Sequence, residues 1–273
     1  MKNKKTLLIL LISTFIFGCD HPITEGVNIT NKGLEYEMYL NERFDKEIFY
    51  QNIGQVQASD PSVICVDGTY YMYPTNAYNN GDCSHINAYK STNLTDWQYI
   101  DAVFVPNRNA WAVDGLWAPE VIEKDGKYRL YYSCGQTFIK DCGFCEPTHI
   151  SFAESKRAKD GYVSRQSPII RPDKNSKYLN LCSGCLKVYR LKDCYIGLQN
   201  GLYEENGKSH SAIMLLKSDD GEHFEFVKPM IVPEKMHKWM AQFVYACCLT
   251  YYDGKLRIYF NARNAADIIR GRE

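Results

Sequence analysis

One pattern recurs four times along the chain and constrains what it can fold into: an apolar run, a tight turn, then an aromatic run. The copies are Pro61 to Tyr73, Pro119 to Tyr131, Leu186 to Leu198 and Cys247 to Tyr259. Their turns begin at 67, 125, 192 and 253, in steps of 58, 67 and 61 residues. Three of the turns are Asp-Gly, and glycine accepts the positive φ that a two-residue hairpin turn demands, so each predicts a β-hairpin. The third copy has Lys192-Asp193 there instead. After each of the first three hairpins comes a second turn, at Ser91 to Trp97, Ser155 to Tyr162 and Ser218 to Phe224. Ser, Asp and Gly supply the turn chemistry, and the aromatic residue opens an outer strand. Two hairpins per unit, repeated radially, predict the four-stranded blades of a β-propeller. A β-sandwich is the plain alternative, but it does not repeat a two-hairpin unit this regularly. The fourth unit runs short, with twelve residues after Asn261. The expected fold is all-β: a five-bladed β-propeller with four repeats evident and one blade incomplete. Part of residues 34 to 58 is expected to lie as a strand beside the last unit and close the ring, because an open ring leaves strand edges unsatisfied.

The N-terminus carries a different signal. Lys2, Lys4 and Lys5 precede an apolar run from Leu7 to Phe17, and Gly18 stands before Cys19. A basic start, a short apolar stretch and a small residue at the cut describe a secretory signal. The run is too short for a comfortable transmembrane span, which needs about 20 apolar residues. Gly18-Cys19 resembles a lipobox, so Cys19 is the expected lipidation site, against the plainer reading of an ordinary signal peptide with a chance cysteine. The expected organisation is a signal over 1–18, a tether over 19–33 and a propeller over 34–273. The expected location is the bacterial cell envelope, at the periplasm or outer membrane surface, held by the lipid on Cys19.

Acidic and basic residues balance at 32 each, with no basic run. That argues against a nucleic-acid partner, since phosphate binding needs clustered Lys and Arg. Of eleven cysteines, ten remain beyond Cys19. Two CxxC pairs, Cys142 with Cys145 and Cys182 with Cys185, have the ligand types of a zinc site. The 36 residues between the pairs exceed the usual spacing, and an oxidising compartment favours disulfides or buried thiols. No metal and no cofactor are expected, and the chain is read as a monomer.

Ala58-Ser-Asp60-Pro-Ser-Val, Asp67-Gly-Thr-Tyr-Tyr-Met-Tyr and Ser91-Thr-Asn-Leu-Thr-Asp-Trp97 resemble the first blade of glycoside hydrolase family 43 and its clan. Leu116-Trp-Ala-Pro-Glu120, Asp125-Gly-Lys-Tyr-Arg-Leu-Tyr-Tyr-Ser133 and Ile150-Ser-Phe-Ala-Glu-Ser155 resemble the second. The resemblance is specific over about residues 55 to 163; beyond that only the rhythm persists. It implies a funnel with three carboxylates, and Asp60 matches the family's general base. The family's second Asp opens the third blade, where this chain has Cys182-Ser-Gly-Cys185. Its general acid, a Glu, opens the fourth, where this chain has Val244-Tyr-Ala-Cys-Cys248. Two of the three catalytic carboxylates therefore have no counterpart.

Aligning the four turns puts Asp60, Ala118, Cys185 and Ala246 on one ring around the axis, and Ser62, Glu120, Lys187 and Cys248 on the next. Alternate residues of a strand share a face, so both rings can point to one side. Inverting hydrolysis needs a base and an acid roughly 6.5–9.5 Å apart. Asp60 as base and Glu120 as acid are the expected pair, with Asp114 as a third carboxylate on the loop leading in. The plain readings are a turn residue before Pro61, a pocket-supporting Glu120 and an ordinary Asp114-Gly115 turn. Trp111 and Trp117 are candidate sugar-stacking platforms or lid residues. Asn200 and Arg263, at the ends of second strands with Gln199 and Asn261, are candidate substrate contacts or plain rim residues. Arg263 has the fork geometry that clamps an anion. His85 and His149 precede third strands and are placed to approach the pocket. The expected function is hydrolysis of O-glycosidic bonds in a polysaccharide or oligosaccharide. A non-catalytic carbohydrate-binding lipoprotein is the alternative, and a phosphorylase, resting on Lys187 and Arg263, is a weaker third.

Overall fold

The computed structural model describes residues 59–75, 83–106, 115–139, 141–142, 144–234, 240–252 and 255–263. Among them are sixteen strands and no α-helix. Strands β1 (Ser59–Val66), β2 (Thr69–Thr75), β3 (Ile86–Ser91) and β4 (Gln98–Phe104) form the first sheet in that order. The second joins β5 (Trp117–Lys124), β6 (Lys127–Cys134), β9 (His149–Ser155) and β10 (Val163–Ser164). A small hairpin, β7 (Thr137–Ile139) with β8 (Phe144–Glu146), is inserted between β6 and β9. The third sheet is β11 (Cys182–Arg190), β12 (Tyr195–Glu205), β13 (Lys208–Ser218) and β14 (Glu225–Ile231). The fourth contains β15 (Phe243–Tyr252) and β16 (Lys255–Arg263).

The chain is thus an all-β propeller with four blades visible, the last as its inner hairpin alone. The four repeats of the sequence are the hairpins β1–β2, β5–β6, β11–β12 and β15–β16. Asp67 and Gly68 have φ of 50° and 76°, and Asp125 and Gly126 have 53° and 73°, as the Asp-Gly turns require. A further turn of this kind, Asn206-Gly207, joins β12 to β13. The closing strand expected within residues 34 to 58, like the signal, the tether and Cys19, lies outside the described residues.

The core lies between blades. Along β6, Tyr131 and Tyr132 point to opposite faces, as a period of two dictates. Tyr132 packs with Tyr73, Ile86 and Phe104 of the first blade, whereas Tyr131 packs with Leu186, Val188 and Leu216 of the third. A third cluster joins Ile196, Leu198 and Ile213 to Val244 and Cys247 of the fourth blade.

The outer turns tie each blade to the previous one. The Tyr73 hydroxyl donates to Ala158 O at 2.9 Å, and the equivalent Tyr131 hydroxyl donates to Gly221 O at 2.6 Å. Both acceptors lie in the Ser-to-aromatic turns, whose leading serines organise them. Ser155 Oγ accepts from Arg157 N, and Ser218 Oγ accepts from Gly221 N. Buried tyrosines and turn serines are therefore two halves of one inter-blade device.

Candidate active site

Each innermost strand carries the same irregularity. Two residues oppose one between Ser59 and Ser62, between Trp117 and Glu120, between Gly184 and Lys187, and between Tyr245 and Cys248. These are β-bulges, which bend a strand and re-aim a side chain. At the first bulge position Asp60, Ala118 and Cys185 have φ of 47°, 47° and 51°. A left-handed conformation costs a non-glycine residue about 1–2 kcal/mol, yet three blades keep it at one register position. The ring inferred from the turns is this row of bulges.

The second strands of the first two blades each support the bulge of the next blade. Thr75, at the end of β2, accepts from Ala118 N at 2.7 Å and donates to Asp60 Oδ2 at 3.3 Å. Ser133, its counterpart on β6, accepts from Cys185 N at 2.8 Å. Thr75 and Ser133 are almost wholly buried, so each hydroxyl fixes a backbone whose N–H would otherwise lack a partner. Thr75 thereby links the Asp60 carboxylate directly to the second blade.

The next ring is used differently. Ser62 Oγ accepts from Val121 N at 3.0 Å. Lys187 Nζ lies 3.2 Å from Glu120 Oε2 and 3.0 Å from Pro119 O. Lys187 is 6% exposed. Glu120 is therefore tied to an ammonium at the seam of the second and third blades. Trp117 opens β5 and folds back over Gly115. A Cβ on Gly115 would come within 2.8 Å of the indole, and its φ is +64°, so a side chain there is excluded twice. Trp111 and Asp114 lie outside the described residues. Asn200 is buried, and its Oδ1 has no hydrogen-bond partner among the described residues. His149 Nδ1 is 2.6 Å from Thr148 Oγ1, and its pKa is lowered by burial and then by Arg171. His85 Nδ1 is 3.3 Å from Ser84 Oγ.

The inserted hairpin brings a carboxylate that the sequence reading did not single out. Glu146 ends β8, immediately before Pro147. The Pro147 carbonyl accepts from Ser183 N at 3.2 Å, and its ring crowds Gly184, next to the Cys185 bulge. Asp141 Oδ2 accepts from Ser209 N at 2.6 Å, which fixes the other end of the hairpin to β13. Ile139 and Cys142 pack with Cys182, Leu202 and Phe243. Burial pushes the Glu146 carboxyl up to about 7, Arg263 opposes that, and the Asp60 charge adds to it. The Arg263 guanidinium stands 4.9 Å from the centre of the Tyr245 ring and 5.5 Å from that of Phe243. The Cys185 thiol is held well above its usual range by burial, with the Asp60 and Glu146 charges contributing. A thiol so raised is not a thiolate at neutral pH and is a poor nucleophile.

The charges of Asp60, Glu146 and Arg263, drawn from the first, second and fourth blades, thus act on one another and on Cys185 and Tyr245. Among the described residues no group of three or more His, Cys, Asp or Glu side chains is arranged to hold a metal, and the CxxC cysteines are free thiols.

Residues 50–178 match the model of glycosyl hydrolases family 43. An extracellular endo-α-(1→5)-L-arabinanase of Thermotoga petrophila is 34% identical over 95 residues, covering 29% of this chain and 18% of that protein. A second such arabinanase, from Bacillus subtilis, is 33% identical over 94 residues, again 29% of this chain and 18% of that protein. The match therefore spans less than a fifth of either curated relative. Among solved structures, a thermostable family-43 glycoside hydrolase superposes with a TM-score of 0.62 at 21% identity, covering 79% of this chain and 67% of that one. An exo-β-1,3-galactanase from Phanerochaete chrysosporium gives 0.55 at 14% identity, covering 77% and 44%. These likenesses show the propeller fold.

Proposed function

We propose that this chain, which is glycoside hydrolase family 43-like in sequence and fold, hydrolyses O-glycosidic bonds in a polysaccharide or oligosaccharide, with Asp60 activating the attacking water. The observation that carries the reading is the Asp60 bulge. A left-handed backbone and the Thr75 hydrogen bond hold the Asp60 carboxylate, and the sequence resemblance assigns the general base to that residue. Arabinan is the first substrate to try, because the curated relatives are named endo-α-(1→5)-L-arabinanases. The N-terminal sequence supports export and anchoring through a lipid on Cys19, which would place the enzyme at the cell envelope beside polymeric substrates.

The test is a panel of aryl glycosides and of plant, capsular and algal glycans, arabinan included, with wild type and Asp60→Ala compared on each. Removing a general base typically costs 10²–10⁴-fold in rate, so release should fall by about that factor on the true substrate. A wild type that releases no more sugar than Asp60→Ala on any of them overturns the reading. A second reading, a non-catalytic carbohydrate-binding propeller, is favoured by one specific fact: the bulges of the second and third blades present Ala118 and Cys185 where a carboxylate could stand. Glycan binding that survives Asp60→Asn and Glu120→Gln, without turnover, would decide for it.

A further inference from the structure

The family's proton donor has no counterpart on the fourth blade, and Glu120 already binds Lys187. A hydrolase at this funnel needs a second carboxyl group that reaches the same space as Asp60, is held rigidly and carries a proton. Glu146 meets those requirements through its placement. Its hairpin is fixed at both ends, by Ser183 N to Pro147 O and by Ser209 N to Asp141 Oδ2. A third bond, Thr148 N to Cys134 O at 3.1 Å, closes the base of the hairpin on its own blade. A group so anchored keeps its geometry without relying on loop order.

We propose that Glu146 is the catalytic proton donor, acting across the funnel from Asp60; this rests on the hydrolase reading above. The Glu146 carboxylic acid gives its proton to the glycosidic oxygen as the bond from that oxygen to the anomeric carbon breaks. Water adds its oxygen to the anomeric carbon, and its proton passes to the Asp60 carboxylate. One water is consumed, and both carboxyl groups return to their starting states by exchanging a proton with solvent. The titratable groups electrostatically coupled to Glu146 are Arg263 of β16, Asp60 of β1, Tyr245 of β15, Cys182 and Cys185 of β11, and Cys142 of its own hairpin. Arg263 alone of these is a fixed cation, and burial outweighs it. The carboxyl is therefore protonated below about pH 7, where a general acid must hold its proton.

The test compares two substrates of the sugar identified by the panel: its oligosaccharide and its 2,4-dinitrophenyl glycoside. The oligosaccharide's leaving alcohol requires protonation, and dinitrophenolate does not. In the purified protein, Glu146→Gln should lose roughly 10²–10⁴-fold in kcat/KM on the oligosaccharide, the usual reach of one acid, and less than about tenfold on the dinitrophenyl glycoside. The wild-type fall in kcat/KM above about pH 7 should vanish in the variant when the dinitrophenyl glycoside is used. Asp60→Ala should lose activity on both. Equal losses on both substrates in Glu146→Gln, or none, overturn the donor role while leaving the hydrolase reading intact. No turnover by the wild type on the whole panel overturns both.

Discussion

Lys187→Met tests the seam between the second and third blades. In the wild type the ammonium lies 3.2 Å from Glu120 Oε2 and 3.0 Å from Pro119 O, with the side chain almost out of water. Methionine matches the length of the stem but leaves Glu120 with a charge and no cation. Breaking a buried pair from one side costs about 3–5 kcal/mol, because the surviving charge stays desolvated. For a domain of this size each kcal/mol moves the melting temperature by about 2–4 °C, so the expected drop is about 6–20 °C. The double variant Lys187→Met with Glu120→Met removes both charges and should recover most of the loss, since apolar replacement of a buried pair is often neutral or better. Urea unfolding followed by tyrosine and tryptophan fluorescence gives both numbers on purified protein. A single variant within about 1 kcal/mol of wild type, or a double variant no better than the single, refutes the argument that Glu120 is held by this ammonium.

The raised carboxyl of Glu146 predicts a pH-dependent stability. Its folded value lies above the unfolded one, so its contribution is complete below about pH 4.5 and is lost as pH rises towards 7. The shift corresponds to something on the order of 3 kcal/mol. Glu146→Gln should therefore gain stability over wild type between pH 5 and pH 8 when both are followed by denaturant unfolding; a constant difference across that range refutes the shift. Ring closure makes a separate prediction, because β16 pairs with β15 on one side and has no second strand partner among the described residues. Protein beginning at Gln57 should melt lower than protein beginning at Asp20, and equal melting temperatures would mean that residues 34 to 56 close nothing.

Much of the fold was legible because the turn chemistry repeats. Asp67-Gly68 and Asp125-Gly126 fix hairpins locally, and the serine-led turns mark the outer strands, so the blade could be counted from short-range signals. Asp60 was legible for the same reason: it sits at a fixed offset from a turn. Glu120 shares that offset arithmetic, but nothing local says that Lys187, 67 residues away, will reach its carboxylate. That contact exists only once two blades stack. Glu146 was hidden for a stronger reason. It belongs to an insertion with no equivalent in the other blades, so no periodicity points to it. Its one sequence cue is Cys145-Glu146-Pro147, a carboxylate between a cysteine and a proline, and the cysteines drew attention to metal chemistry in its place.

The bulges tolerate different side chains at one backbone conformation. Ala118 and Cys185 keep the strained left-handed backbone although neither supplies a carboxylate. The strain therefore belongs to the blade and not to the side chain: it bends the inner strand, and a hydroxyl of the preceding blade, Thr75 or Ser133, supports it. A carboxylate at a bulge position can then be replaced without losing the bend. What is lost is a charge in the funnel, and another element that reaches the funnel can restore it. The β7–β8 hairpin rests on Ser183 and Gly184, the residues just before the Cys185 bulge. Burial keeps the Cys185 thiol neutral, so that bulge adds no negative charge beside the hairpin. A carboxylate is more easily accommodated beside a neutral thiol than beside a second carboxylate, and Cys185 is the neutral neighbour coupled to Glu146.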